Sequence, residues 1–149
     1  MHYLFYTIFT DKNHFFGSAI NNLLSTIDRL CFLDVFYHIW AEFETYKAKN
    51  VSYLKDVMSK VCKMSNNNIH SFRAYLYYIK TIGTVYDIRL VYKEAFDLCI
   101  EEKKSLMNNW ISWEQMFGDA QSILETIKYT NQEMSKIEAV NLQKNVSLY

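Results

Sequence analysis

The chain has 149 residues, the length of one domain, and half of them are hydrophobic, so it can bury a sizeable core and is not intrinsically disordered. Sixteen basic residues balance sixteen acidic ones, which removes any global electrostatic pull toward nucleic acid or an anionic membrane. Three glycines and no proline are too few for the turns of a β-sandwich or for a glycine-cradled phosphate loop, and they leave an all-α chain.

In chain order, the sequence predicts a first helix over residues 2–11, with Tyr3, Tyr6 and Phe9 on one face. Its apolar run is short and has no basic leader, so it fails as a signal peptide and as a membrane span. It reads as a chain cut from a longer array. Leu4, Phe5, Phe15 and Phe16 add to the apolar surface there, which needs a missing repeat, a partner or a second copy to cover it and so predicts self-association. A second helix, capped by Ser18, runs to about Cys31 with Ile20, Leu23, Leu24 and Ile27 at helical spacing. Asp34 is the expected N-cap of a third helix to about Lys47. Asn50 or Ser52 caps a fourth, through Met64, with Leu54, Val57, Met58 and Val61 inward.

The run Ser65-Asn66-Asn67-Asn68 is the clearest turn in the chain. A fifth helix follows over about 69–82, and Gly83 ends it as a C′ glycine. Residues 85–99 make its partner, with Arg89, Tyr92 and Phe96 on the inner face, and 101–104 connect onward. Gly118 stops the next helix, and Asp119 caps a last one reaching about Asn145. Along it, Ala120, Ile127, Met134 and Asn141, with Ile123, Thr130 and Ile137 between them, form a weak seam of the coiled-coil kind. Fraying beyond Met134 and an interaction helix are equally compatible with that seam.

An apolar triplet recurs along the chain. Tyr3, Tyr6 and Phe9 are followed by Tyr37, Trp40 and Phe43, then Phe72, Tyr75 and Tyr78, then Met107, Trp110 and Trp113, at steps of 34, 35 and 35 residues. The second helices align at the same offset: Ile20, Leu54, Arg89 and Leu124 correspond, as do Leu23, Val57, Tyr92 and Ile127. A fixed period of this size in helical sequence is the signature of a helix-pair solenoid. It predicts a right-handed α-α superhelix of the tetratricopeptide (TPR) kind, one domain with repeats at about 1–31, 34–64, 68–101 and 104–131. Trp40, Trp110 and Trp113 belong in its core.

Reactive constellations are missing from the sequence. Cys31, Cys62 and Cys99 are odd in number and form no Cys-x-x-Cys pair, which argues against disulfides and zinc. His2, His14, His38 and His70 lack metal-ligand spacing; Cys31 and His38 are expected to be a buried thiol and a surface imidazole. Glu42, Glu44, Glu101, Glu102, Glu114 and Asp119 fall on helix surfaces or ends, without the shared cleft that paired catalytic acids need. No catalytic residue, cofactor or metal is expected. Tyr53, Tyr75, Tyr77, Tyr78 and Tyr92, interleaved with Arg73, Lys80, Arg89 and Lys93, have the residue types that stack on single-stranded bases. Aromatics at repeat-matched positions read more simply as core.

The ordinary tetratricopeptide repeat has a Leu-Gly pair, mid-repeat alanines and a closing proline that are missing here. The half-a-TPR (HAT) repeat is a closer resemblance. Its first helix carries three aromatic positions and then glutamate, as in Tyr37-Trp40-Phe43-Glu44 and Met107-Trp110-Trp113-Glu114. Its second carries arginine, an aliphatic-aromatic pair and alanine, as in Arg89, Val91-Tyr92 and Ala95. The third copy has Ile79 in place of the glutamate and the first has Thr10, so the resemblance rests on about residues 34–130. The stretch from Trp110 through Gly118 and Asp119 into the long polar helix resembles the last HAT repeat of the squamous cell carcinoma antigen recognised by T cells family. The large subunit of cleavage stimulation factor has a similar closing repeat.

The resemblance implies a nuclear, non-enzymatic scaffold that binds proteins of pre-mRNA splicing, specifically of U4/U6 small nuclear ribonucleoprotein recycling, and that can pair with a second copy. Neither the RNA recognition motifs nor the basic import stretch of those factors is present in this sequence.

Overall fold

Asparagine, threonine and aspartate stand where four of the helices begin, and their side chains accept from backbone amides that a helix leaves unpaired. The computed structural model describes residues 30–147, with side chains from Phe36 onward. They form α1 (Leu30–Phe43), α2 (Val51–Met64), α3 (Ile69–Ile82), α4 (Val85–Leu98), α5 (Lys103–Phe117) and α6 (Ala120–Val146). A π-helical turn, Glu44–Ala48, follows α1. The described residues are all-α, with no strand among them. Asn50 caps α2 through the Tyr53 amide and Asn68 caps α3 through the Ser71 amide. Thr84 with Asp87, and Asp119 with Ser122, form reciprocal capping boxes on α4 and α6. The helices expected over 2–11 and from Ser18, with the triplet Tyr3, Tyr6 and Phe9, lie outside the described residues.

The chain divides into two compact units, Met1–Trp40 and Ala41–Tyr149. In the first, Phe36, Tyr37 and Trp40 cluster on α1; Tyr37 and Trp40 stack with ring centroids 6.2 Å apart, and both are buried. The helix break expected before Asp34 does not occur. α1 passes from Leu30 straight through Asp34, so the repeat boundary predicted at 31–34 falls inside a helix. Leu30, Cys31, Phe32 and Leu33 include no glycine, proline or asparagine to end a helix, and an interior aspartate costs only about 0.7 kcal/mol relative to alanine.

In the second unit the connections are short, residues 65–68, 83–84, 99–102 and 118–119, and each helix packs on the one before it. Pairing numbers rise on one helix as they fall on the next. Arg89, Tyr92 and Phe96 of α4 meet Glu114, Trp113 and Trp110 of α5, so the two run antiparallel. Trp110 and Glu114 of α5 meet Tyr129 and Ser122 of α6 in the same sense. Alternate elements also touch. Tyr46 bonds Tyr77, Lys55 bonds Asp87, Arg73 bonds Glu102 and Lys93 bonds Tyr129, at sequence separations of 31, 32, 29 and 36 residues. These separations lie close to the period of the sequence pattern. Leu54, Met58, Phe72, Ile79, Ala95, Phe96, Trp110 and Trp113 fill the interior.

Gly83 and Gly118 end α3 and α5 in extended, not left-handed, backbone, with φ of −80° and −94°. Gly83 is therefore not the left-handed cap expected of a C′ glycine. What these positions require is space. A Cβ would stand 2.7 Å from the Ile79 carbonyl oxygen at the first and 2.8 Å from that of Glu114 at the second, far inside contact distance. The equivalent residue after α1 is Ala48, which cannot take that tight turn. There the Glu44 carbonyl, counterpart of those of Ile79 and Glu114, accepts instead from Lys49 and Asn50, through a wider π-type turn.

Two other expectations change. The link between α4 and α5 is 99–102 rather than 101–104, because Lys103 already begins α5. Leu124, aligned with the inward positions of the other second helices, is 63% exposed; α6 docks instead through Thr126 and Thr130. Truncation of Trp113 to alanine is expected to lower stability by about 3–5 kcal/mol through lost burial and a cavity. A urea titration monitored by circular dichroism reads this as a fall in midpoint, with amide protection lost on α4 as well as α5.

Candidate interaction site

Glu114 lies one turn after Trp110 on the buried face of α5, and its residue is 0% exposed. A carboxylate removed from water needs donors on both oxygens. Arg89 of α4 provides two, with Nε donating to Oε1 at 2.8 Å and Nη2 to Oε2 at 2.9 Å. Trp110 Nε1 donates to Oε1 at 3.4 Å, and the Ser122 hydroxyl at the start of α6 is a further partner. Burial is the largest single influence and raises the Glu114 pKa, but Arg89, Ser122 and Trp110 together outweigh it and hold the carboxyl below its usual range. Gly118 leaves the room in which Glu114 and Ser122 meet, since a Cβ there would overlap both side chains. Tyr92 stacks on Trp110 at 6.1 Å, closing the apolar side.

The structure gathers Arg89, Tyr92, Trp110, Trp113, Glu114 and Gly118 where α4, α5 and α6 meet. The other predicted repeat-core residues are spread along the chain. Phe72, Tyr75 and Tyr78 are buried on α3, Ala95 is buried on α4, and Glu44 is buried in the π-helical turn. Tyr37 and Trp40 are buried on α1, and Phe43 is half-buried. His38, expected at the surface, is half-buried; the Cys31 side chain lies outside the described ones. Cys62 and Cys99 are buried, and burial pushes the Cys62 thiol up to about 12.

Of the tyrosines weighed as base-stacking residues, Tyr75, Tyr78 and Tyr92 are buried, while Tyr53 and Tyr77 are exposed. The accompanying cations are engaged within the fold. Arg73 bonds Glu102 at 2.6 Å, Lys80 bonds the Tyr92 hydroxyl at 2.6 Å, and Lys93 bonds Asp97 at 2.8 Å.

Two contacts were not visible in the sequence. Lys55 of α2 pairs with Asp87 of α4, and Lys93, Asp97 and Tyr129 form a cluster between α4 and α6. Thr84-x-x-Asp87 is legible as a capping box; the partner lysine, 32 residues earlier, is not. A cavity of about 210 Å³ beside the Arg89–Glu114 pair is lined by Lys93, Trp110, Glu125, Thr126 and Tyr129 as well. A second, of about 470 Å³, opens at the π-helical turn. Among the described residues no cluster of metal-ligating side chains occurs, and no helix is long and apolar enough to cross a membrane. Compared with protein-family models, curated proteins and solved structures, the chain matches none.

Removing Arg89 strands a buried charge, so Arg89→Ala is expected to cost about 3 kcal/mol. The figure is at the low end because the arginine side chain is 35% exposed. The double variant Arg89→Met, Glu114→Leu, which removes both charges, is expected to recover most of that loss in the same urea titration. Asp87 gives a pH test. The Lys55 hydrogen bond, helped by Thr84 and opposed by burial, lowers its carboxyl from 3.8 to about 2. A depressed folded-state pKa stabilises fully above 3.8, and the contribution disappears as pH falls through 2. Unfolding free energy is therefore expected to fall between pH 4 and 2, and to fall less steeply in Lys55→Met.

Proposed function

We propose that the chain is a non-enzymatic, protein-binding scaffold built as a right-handed superhelix of HAT-type repeats. The observation that carries this reading is the Arg89–Glu114 clamp, set over Trp110 and Trp113, which joins one helix pair to the next. Arginine on a second helix and glutamate after an aromatic triplet are the features by which the sequence resembles HAT repeats. The packing gives them a shared purpose, since each is satisfied only when consecutive pairs are stacked in register. Burial of Tyr75, Tyr78 and Tyr92 and pairing of Arg73 and Lys80 within the fold favour protein partners over single-stranded RNA.

By that resemblance the partners are RNA-processing proteins in the nucleus, first those of U4/U6 small nuclear ribonucleoprotein recycling and next those of mRNA 3′-end cleavage. Affinity capture from a nuclear extract tests the reading, with enrichment of spliceosomal recycling proteins expected. Recovery of cleavage factors supports the alternative, and recovery of neither overturns both. Fluorescence titration with single-stranded RNA is expected to show no tight binding at 50 mM salt. Tight binding that weakens steeply by 200 mM would mark phosphate contacts and a direct RNA binder.

A further inference from the structure

A cavity opens beside the wide turn after α1. Lys49, which ends that turn, has φ 51° and ψ 42°, a left-handed backbone disfavoured for residues with a Cβ. Four non-glycine residues in the described chain have positive φ. Asn66 and Asn67 are of the type that tolerates it, and Glu102 is held in place by Arg73. Lys49 closes the π-helical turn, its amide donating to the Glu44 carbonyl, and it forms no ion pair among the described residues.

The lysine lines the cavity of about 470 Å³ together with Thr45, Tyr46, Thr81 and Ile82, a volume within the range of about 300–1,000 Å³ usual for ligand sites. Thr45 and Thr81 donate their hydroxyl protons to the carbonyls of Ala41 and Tyr77, so their hydroxyls are not free donors. Tyr46 and Tyr77 bond each other at 3.2 Å and expose their rings, at 46% and 63%. Lys47, on the same turn, is also exposed and without an ion pair among the described residues. Glu42 acts on Tyr46 electrostatically but does not pair with either lysine. The cavity therefore offers one ammonium donor, a second positive charge nearby, and tyrosine and isoleucine surface beside them.

We propose that this cavity binds an acidic segment of a partner protein, taking an aspartate or glutamate carboxylate on Lys49 and a neighbouring aromatic side chain against Tyr46 and Ile82. The proposal rests on the protein-scaffold reading and gives that scaffold a specific contact. Charge complementarity selects the occupant: an extended peptide with alternating carboxylate and aromatic side chains meets both the ammonium and the exposed rings.

The test uses the ¹⁵N-labelled full chain titrated with the capped peptide acetyl-Glu-Phe-Glu-amide. Shifts are expected at the amides of Tyr46, Lys49, Thr81 and Ile82, with the Gln-Phe-Gln counterpart binding at least tenfold more weakly. Lys49→Gly is the decisive variant, because glycine accepts the left-handed backbone without strain. It is expected to melt at or above the wild-type temperature and yet lose binding at least tenfold, while Lys49→Arg keeps it within threefold. Equal binding of the glutamine peptide, unchanged binding by Lys49→Gly, or the same shifts from inorganic phosphate alone would each overturn the proposal. Nuclear-extract capture separates the two readings. Partners retained equally by wild type and Lys49→Gly overturn this site and leave the scaffold standing, whereas no capture by either removes both.

Discussion

A carboxylate sealed from water has to be satisfied on every side, and at Glu114 that requirement organises three helices at once. Arg89 sets the position of α4 along α5, Ser122 sets the start of α6, and Trp110 holds the same carboxylate from within its own helix. Apolar side chains such as Phe72 and Phe96 contribute more to the free energy of burial, but they would tolerate a sliding of one helix over the next. The two parallel donor bonds from the guanidinium would not. On this view the ion pair specifies alignment, and the aromatic stack around it provides the cohesion.

A one-residue difference between turns propagates in a similar way. The carbonyls of Glu44, Ile79 and Glu114 occupy equivalent places near the ends of their helices. In the two turns with glycine, the carbonyl bonds the amide four residues on, at 2.7 Å, and the following residue caps the next helix. With Ala48 in the glycine position, the carbonyl reaches to residues five and six positions away, and the cap moves back to Asn50. A methyl group in the glycine position thus goes with a π-helical turn that ends in a left-handed lysine.

The sequence was most readable where one residue type had one local job. The sequence predicts α3 over residues 69–82 and the helix occupies them, because Asn68 opens it and Gly83, poor in helix, is followed at once by the Thr84 cap of α4. Asp34 misled because a capping residue type says nothing of whether the preceding residues can leave a helix. The docking of α6 was hidden for a different reason. Its two buried residues are Thr126 and Thr130, and the Thr130 hydroxyl is satisfied internally by the Thr126 carbonyl at 2.8 Å. Hydrophobic patterning counts such residues as polar and turned the reading toward Leu124, which faces water. Contacts between alternate helices, Lys55 with Asp87 or Lys93 with Tyr129, needed the stacking itself before they could be seen.

α6 is a single helix of 27 residues, yet beyond Met134 every described residue is exposed. Residues 135–146 thus extend roughly 18 Å of helix at 1.5 Å per residue with no described side chain buried. A segment that short scarcely holds helical structure alone, because forming the first turn is unfavourable. Here the docked half, clamped through Thr126 and Thr130, supplies the nucleus, and each further residue only has to propagate it. Helicity should accordingly decay outward, residue by residue, and amide hydrogens should exchange faster along the same gradient. The far half of α6 is a structure on loan from the near half, and whatever loosens the Arg89–Glu114 junction also shortens the helix that projects from it.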